Sequence, residues 1–348
     1  MMRQEQGASR DMRRDGTAGG DDSPLVIDYY YDFTDTDAFC RLLEERFRAA
    51  GHDRPIEFVN WNCYLEPPGR DADLLIYDAV AMTALADKGF MRPLPDLIDT
   101  SDMFAWTIDK GLVRRKRWGV PLMVCANALI CRREDDRDIR NIMDLREPIA
   151  VPLRTMLMYY YLQAFCNYQD RSDRYLEVMR HLMRLMGVEP ESSTLEAYDG
   201  VGRFNRRECR YFLGFTESLR EFSPGDYVVR FANFSEHDED QMPLFMVDYA
   251  SLGSRVQGDR LLDCLDLLEI MADPGFVFDV CTAGGRLQYM LPACRSVYPK
   301  LARLDPLYDA LYQMLLPEEN GVFRYGPGFY EEFYQKSEGL LEQLIMGT

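Results

Sequence analysis

The chain has 348 residues, a length at which about two domains are expected, and its 47% hydrophobic and 12% aromatic content supplies enough apolar side chains for two packed cores. With 58 Asp and Glu against 40 Lys and Arg, the formal charge is −18 and the pI near 4.7. That excess repels phosphate backbones and anionic bilayers, which argues against nucleic acid and membrane partners, and no stretch offers the roughly 18 consecutive apolar residues of a membrane helix.

Residues 1–23 are polar, without an apolar signal-peptide core, and read as a disordered leader. The nine cysteines are scattered and odd in number, a pattern of free thiols in a reducing compartment. The expected location is therefore cytoplasmic, or secreted if a signal has been removed. His52, His181 and His237 form no ligand pair and there is no CxxC, so no metal site is expected. Dinucleotide, P-loop, HExxH and GxSxG motifs are absent too.

In chain order, the β-branched and aromatic run Leu25 to Tyr31 predicts a first strand. Successive residues alternate faces there, so at most two of Tyr29, Tyr30 and Tyr31 can share one side. Asp35 to Asp37 can cap a helix with Phe39, Leu42, Leu43 and Phe47 on one face, ending at Gly51. Ile56 to Trp61 and Asp73 to Asp78 predict two more strands, and Ala79 to Lys88 a helix stopped by Gly89. This alternation implies a parallel sheet wound with helices, whose ligands sit at the carboxyl ends of the strands. Tyr30, Tyr31, Trp61, Tyr64 and Asp78 then share one cleft. The basic run Arg114 to Arg117 reads as a solvated hairpin.

Gly119 to Leu129 predicts a strand crossing between lobes, and Cys125 lies on it where a thiol faces ligand. Residues 132–242 form a second lobe with helices at Tyr159 to Asn167 and Arg174 to Met186. Within it, Tyr211 to Ser218 places Glu217 after an apolar strand. Met242 to Asp248 returns to the first lobe, and helices at Asp259 to Asp273, Pro306 to Leu316 and Phe329 to Met346 complete the chain. A Cys and a Glu, each ending a buried strand, read as a nucleophile and its base. Structural roles compete: a Cys on an apolar strand is commonly core, and Asp78 or Glu217 can cap the helix that follows.

Five segments, Phe58 to Tyr64, Asp73 to Leu94, Gly119 to Arg133, Phe212 to Leu219 and Pro243 to Asp248, resemble thiamine pyridinylase (thiaminase I), as do Gln288 to Ala293 and Val322 to Pro327. The resemblance runs from Leu25 to the C-terminus. It implies an α/β, two-lobed fold of the type II periplasmic-binding-protein kind with the active site between the lobes. Lobe 1 comprises 24–124 plus 243–305, and lobe 2 comprises 125–242 plus 306–348. The implied reaction cleaves the methylene bridge of thiamine and passes the pyrimidinylmethyl group to an amine or thiol, with Cys125 as nucleophile and Glu217 as general base. Asp78 and Asp248 match acidic residues at the pyrimidine, and Tyr30, Tyr64 and Tyr198 match tyrosines bordering the rings. Phe215 and Met246 occupy cleft positions where the family often has Tyr, and Asn62 replaces an Asp. The family implies no cofactor or metal, a small-molecule substrate with a small nucleophilic co-substrate, and a monomer. A non-catalytic thiamine- or pyrimidine-binding protein, and a transferase acting on another pyrimidine conjugate, remain as alternatives.

Overall fold

The structure is a computed structural model describing residues 23–30, 35–137, 139, 142–151, 180–187, 199–231 and 244–332. Residues 1–22 of the leader, the helix expected at Tyr159 to Asn167, Tyr31, Tyr198 and residues beyond 332 lie outside the described residues. Of the helix expected over Arg174 to Met186, residues 180–186 are described and helical.

Two sheets divide the chain. The larger contains β1 (Leu25–Tyr29), β2 (Ile56–Asn60), β3 (Leu74–Asp78), β4 (Gly119–Cys125), β9 (Leu244–Leu252) and β10 (Leu291–Pro292) in the order β10-β4-β9-β3-β1-β2, with β11 (Gly321–Val322) paired to β9. The smaller has the order β6-β7-β5-β8, from β5 (Ala128–Arg132), β6 (Ile149–Ala150), β7 (Tyr211–Gly214) and β8 (Tyr227–Phe231). Strand membership changes between Cys125 and Ala128, and again between β8 and β9. Within 306–348, β11 pairs with β9 of the larger sheet, so that segment is not confined to the side of the smaller one.

The expected parallel winding holds for β1, β2 and β3. The late strand β9 enters antiparallel between β3 and β4, a placement that alternation of elements cannot reveal. Every residue of β3 is buried, as a strand covered on both faces requires. Helix α1 (Thr36–Ala49) is capped by Asp35, whose Oδ1 accepts from the Ala38 N–H at 3.0 Å. It buries Phe39, Leu43 and Phe47 and shares a layer with the later helices Gly258–Ala272 and Pro274–Cys281. Arg114 and Arg115 take positive φ angles of 51° and 61° between the bridged Val113 and Lys116, which makes the basic run the expected hairpin.

A partly buried ion pair, with Asp73 the buried partner, closes the far end of this sheet. Asp73 Oδ2 accepts from the Val26 N–H at 2.8 Å, while Arg260 Nε donates to Asp73 Oδ1 at 3.0 Å and Nη2 to Oδ2. Breaking such a pair from one side leaves a buried charge without its counter-ion, at about 3 kcal/mol or more. Arg260→Leu is expected to lower unfolding stability by about that much in urea titration, with less loss in the double variant carrying Asp73→Asn.

Candidate active site

The site lies where β4 leaves the larger sheet. Directly opposed residues of antiparallel neighbours share a face, and the register pairs Asp78 with Asp248, Met123 with Asp248, and Cys125 with Met246. Asp78, Asp248, Met246 and Cys125 thus project from one face of three adjacent strands. The irregularity between Pro121 and Met123 gives β4 one residue more than its partner, which keeps Cys125 in phase with this set. β3 and β4 both run opposite to β9, so Asp78 and Cys125 stand at the carboxyl ends of strands pointing the same way, where α/β sheets hold ligands.

From the smaller sheet, β7 ends at Gly214 and the chain turns through Phe215 into the 3₁₀ turn Thr216–Glu221. Glu217, in its first turn, reaches across: Sγ of Cys125 donates to Oε1 of Glu217 at 3.6 Å. The hydroxyl of Thr216 donates to Oε2 at 3.3 Å.

Asp78 combines the two roles that its sequence position left open. Its Oδ1 accepts from the Val80 N–H at 2.8 Å, capping the turn that leads into helix α2 (Met82–Asp87), while Oδ2 accepts from the Tyr64 hydroxyl at 2.7 Å. Tyr30 packs edge-on against Tyr64, with centroids 5.2 Å apart. Asn62, where an Asp is usual, accepts the Tyr64 N–H on its Oδ1 at 3.0 Å and so holds the tyrosine's loop. Phe329 also packs edge-on against Tyr64, a contact from the C-terminal segment that the early motifs do not reveal. Met246 is buried and Phe215 half-buried. Among the described residues no cluster could hold a metal ion.

The electrostatics are one-sided. Burial pushes Asp78 up to about 6, against the hydrogen bonds from Val80 and Tyr64, which lower it. Cys125 is driven well above the ordinary thiol value, first by desolvation and then by the charges of Glu217, Asp248 and Asp78. The neighbouring Cys63, fully buried, is pushed up by burial and by the charges of Asp78 and Asp248. The resting thiol is neutral in a cleft lined with carboxylates. For this sulfur to act as a nucleophile a base would have to take its proton, and a cation is the ligand whose charge such a cleft favours.

Two α/β lobes with a site at the crossover between their sheets define a two-lobed protein with a type II periplasmic-binding-protein-like fold. Thiaminase I is what this chain resembles. It is 26% identical to Thiaminase-1 of Paenibacillus thiaminolyticus over 333 residues, 81% of this chain and 80% of that protein. Clostridium botulinum thiaminase I, solved in complex with thiamin, superposes with a TM-score of 0.80 at 20% identity, covering 92% of this chain and 99% of that one. Thiaminase I from Bacillus thiaminolyticus gives 0.76 at 22%, with the same coverage. No family model matches the chain.

Asp78 also yields a pH test. Its folded-state value lies above the ordinary 3.8, so the folded protein holds this proton more tightly than the unfolded chain. The resulting stabilisation is complete below about pH 4 and is lost as pH rises through about 6. Asp78→Asn should therefore gain on the wild type as pH rises from 4 to 7.5, by at most about 3 kcal/mol. Chemical denaturation across that range measures the gap, and a gap independent of pH would exclude Asp78 as the titrating group.

Proposed function

We propose that this protein is a thiaminase I-type transferase, which cleaves thiamine at the methylene bridge and hands the pyrimidinylmethyl group to a small amine or thiol. The observation that carries this is the 3.6 Å contact between Sγ of Cys125 and Oε1 of Glu217, made between lobes and beside Asp78 and Asp248. The sequence likeness to Thiaminase-1 supports it.

Glu217 takes the thiol proton as the sulfur forms a C–S bond to the unsubstituted pyrimidine carbon, and passes it to a ring nitrogen. The electron pair then returns to break the bond from the methylene to the thiazolium nitrogen, and neutral thiazole leaves. An incoming amine or thiol gives its proton to the carboxylate and adds to the exocyclic methylene. Expulsion of Cys125 as thiolate restores the aromatic ring, whose added proton returns to the sulfur, and Glu217 releases the acceptor's proton to solvent. Asp78 and Asp248 bind the aminopyrimidine and offset positive charge on the protonated ring. Tyr30 and Tyr64 border the rings, and Phe215 and Met246 make the cleft more apolar. No cofactor is needed for any of these steps, and one chain carries the nucleophile, the base and both aspartates.

The cationic thiazolium suits the excess of carboxylates. Its arrival offsets the three negative charges that suppress the thiolate, so binding itself favours ionisation of Cys125.

Cys125→Ser is expected to abolish release of thiazole from thiamine with the fold intact, because an alkoxide is far harder to form than a thiolate. Glu217→Gln should lose about 10²–10⁴ in rate while still binding substrate, the range for loss of a general base. Incubation with a slow pyrimidine analogue should add its mass to the peptide containing Cys125. Near-normal turnover by Cys125→Ser would reject the nucleophile, and unaltered thiamine with the wild-type protein and a good acceptor would leave a binding protein instead.

Selectivity follows from where the polar groups lie. Buried acceptors left unpaired cost about 1–3 kcal/mol each, so analogues lacking the pyrimidine amino group should lose most of kcat/KM, and analogues altered on the leaving ring should react. Equal tolerance in the two series would favour another pyrimidine conjugate as substrate.

A further inference from the structure

Glu217 has a companion on its own turn. In a 3₁₀ helix residues three apart eclipse one another, so Arg220 leaves the Thr216–Glu221 turn on the same face as Glu217. Its Nη1 donates to Oε1 of Gln288 at 3.3 Å. Gln288 belongs to the opposite lobe, three residues before β10, and is 2% exposed.

The amide of Gln288 is held in one orientation. Nε2 donates to the carbonyl of Ala283 at 2.7 Å and reaches that of Arg286 at 3.4 Å, while the backbone N–H donates to the carbonyl of Cys281 at 2.9 Å. Oε1 is thereby aimed at Arg220. The arginine has few alternatives: Nη2 lies 3.5 Å from Glu221, and the enclosed Nε has no hydrogen-bond partner. The buried Cys281 and Tyr308 are both pushed upward in part by the charge of Glu217, which puts that carboxylate against the same wall on which Gln288 sits.

We propose that Arg220 and Gln288 form a cross-lobe clamp that holds the carboxylate of Glu217 within reach of the Cys125 sulfur. They are positioning residues for the reaction proposed above, and the clamp rests on Glu217 being the base. The Cys125–Glu217 contact also joins the turn to the nucleophile's strand. A thiol–carboxylate contact of 3.6 Å is too weak to set the spacing of two lobes alone.

The alternative is that Arg220 contributes its charge alone, and the two predict opposite signs for the reactivity of the resting thiol. A nearby cation favours the thiolate, so loss of Arg220 acting by charge would slow alkylation of Cys125. Glu217 holds the thiol protonated, so a clamp that fails and lets Glu217 swing away speeds it. The experiment measures second-order alkylation of Cys125 by iodoacetamide at pH 7.5, read by peptide mass, for the wild type and for Glu217→Gln, Gln288→Leu and Arg220→Leu, each checked for cooperative unfolding. Glu217→Gln is expected to speed alkylation, by about tenfold for each unit that the thiol value falls. Gln288→Leu, which changes no charge, should follow in the same direction, as should Arg220→Leu where the Gln288 variant fails to fold. In turnover with thiamine, either clamp variant should lower kcat at least tenfold with KM within threefold, and the double variant should be no worse than the poorer single one.

A Glu217→Gln variant that alkylates like the wild type rejects Glu217 as the partner of the thiol, and the clamp with it. A fast Glu217→Gln together with slow or unchanged clamp variants rejects the clamp and leaves the base in place.

Discussion

Strand β9 is the constraint on which the site depends. It is inserted late in the chain and antiparallel between two strands that run together, and it fixes β3 and β4 in register against one another. Since the side-chain period of a strand is two, a slip of one residue in β9 would turn Asp248 and Met246 to the opposite face. That opposite face is already committed: Tyr249 donates to the carbonyl of Thr107, and Tyr77 bonds Ser251. These buried contacts lock the register from behind, so the alignment of Asp78, Asp248 and Cys125 on the front needs no ligand to maintain it.

A site built this way is costly to the fold. Two carboxylates stand opposed on neighbouring strands, and one of them, Asp78, is 4% exposed. Hydrogen bonds from Val80 and Tyr64 recover part of that desolvation. The rest of the desolvation stays uncompensated, and a cationic ligand beside the carboxylate offsets it where a neutral one does not. Binding of a cation and ionisation of the thiol are then coupled through one electrostatic effect.

Much of this was legible in the sequence because it is local. The strand ending at Asp78, the positive-φ stops at Gly51 and Gly89, the hairpin of Arg114 and Arg115, and the apolar strands leading to Cys125 and Glu217 follow from side-chain period and turn chemistry. Cys125 and Glu217 read as nucleophile and base from their places at the ends of apolar strands, and the motif resemblance supported the pair across the 92 residues that separate them. What stayed hidden was long-range. The antiparallel entry of β9, the return of β11 to its edge, the packing of Phe329 on Tyr64 and the bond from Arg220 to Gln288 all join segments far apart in the chain. No periodicity encodes such pairings. Asp78 was ambiguous for another reason: a cap and a ligand-facing carboxylate use the same residue type, and here its two oxygens divide the roles.

Apolar side chains stand beside both Cys125 and Glu217. Met246 stands directly opposite Cys125 on β9 and is buried, and Phe215 precedes Glu217 by two residues on the other lobe. A tyrosine in either place could donate a hydrogen bond toward a developing thiolate; a thioether and a phenyl ring cannot. Both raise the desolvation that dominates the shift of the thiol, and neither offers charge or dipole in return. Under the proposed reaction, ionisation of Cys125 would therefore fall to Glu217 and to the charge of the ligand. The geometry that holds Glu217 at 3.6 Å thus matters more here than in a cleft where hydroxyls share the work.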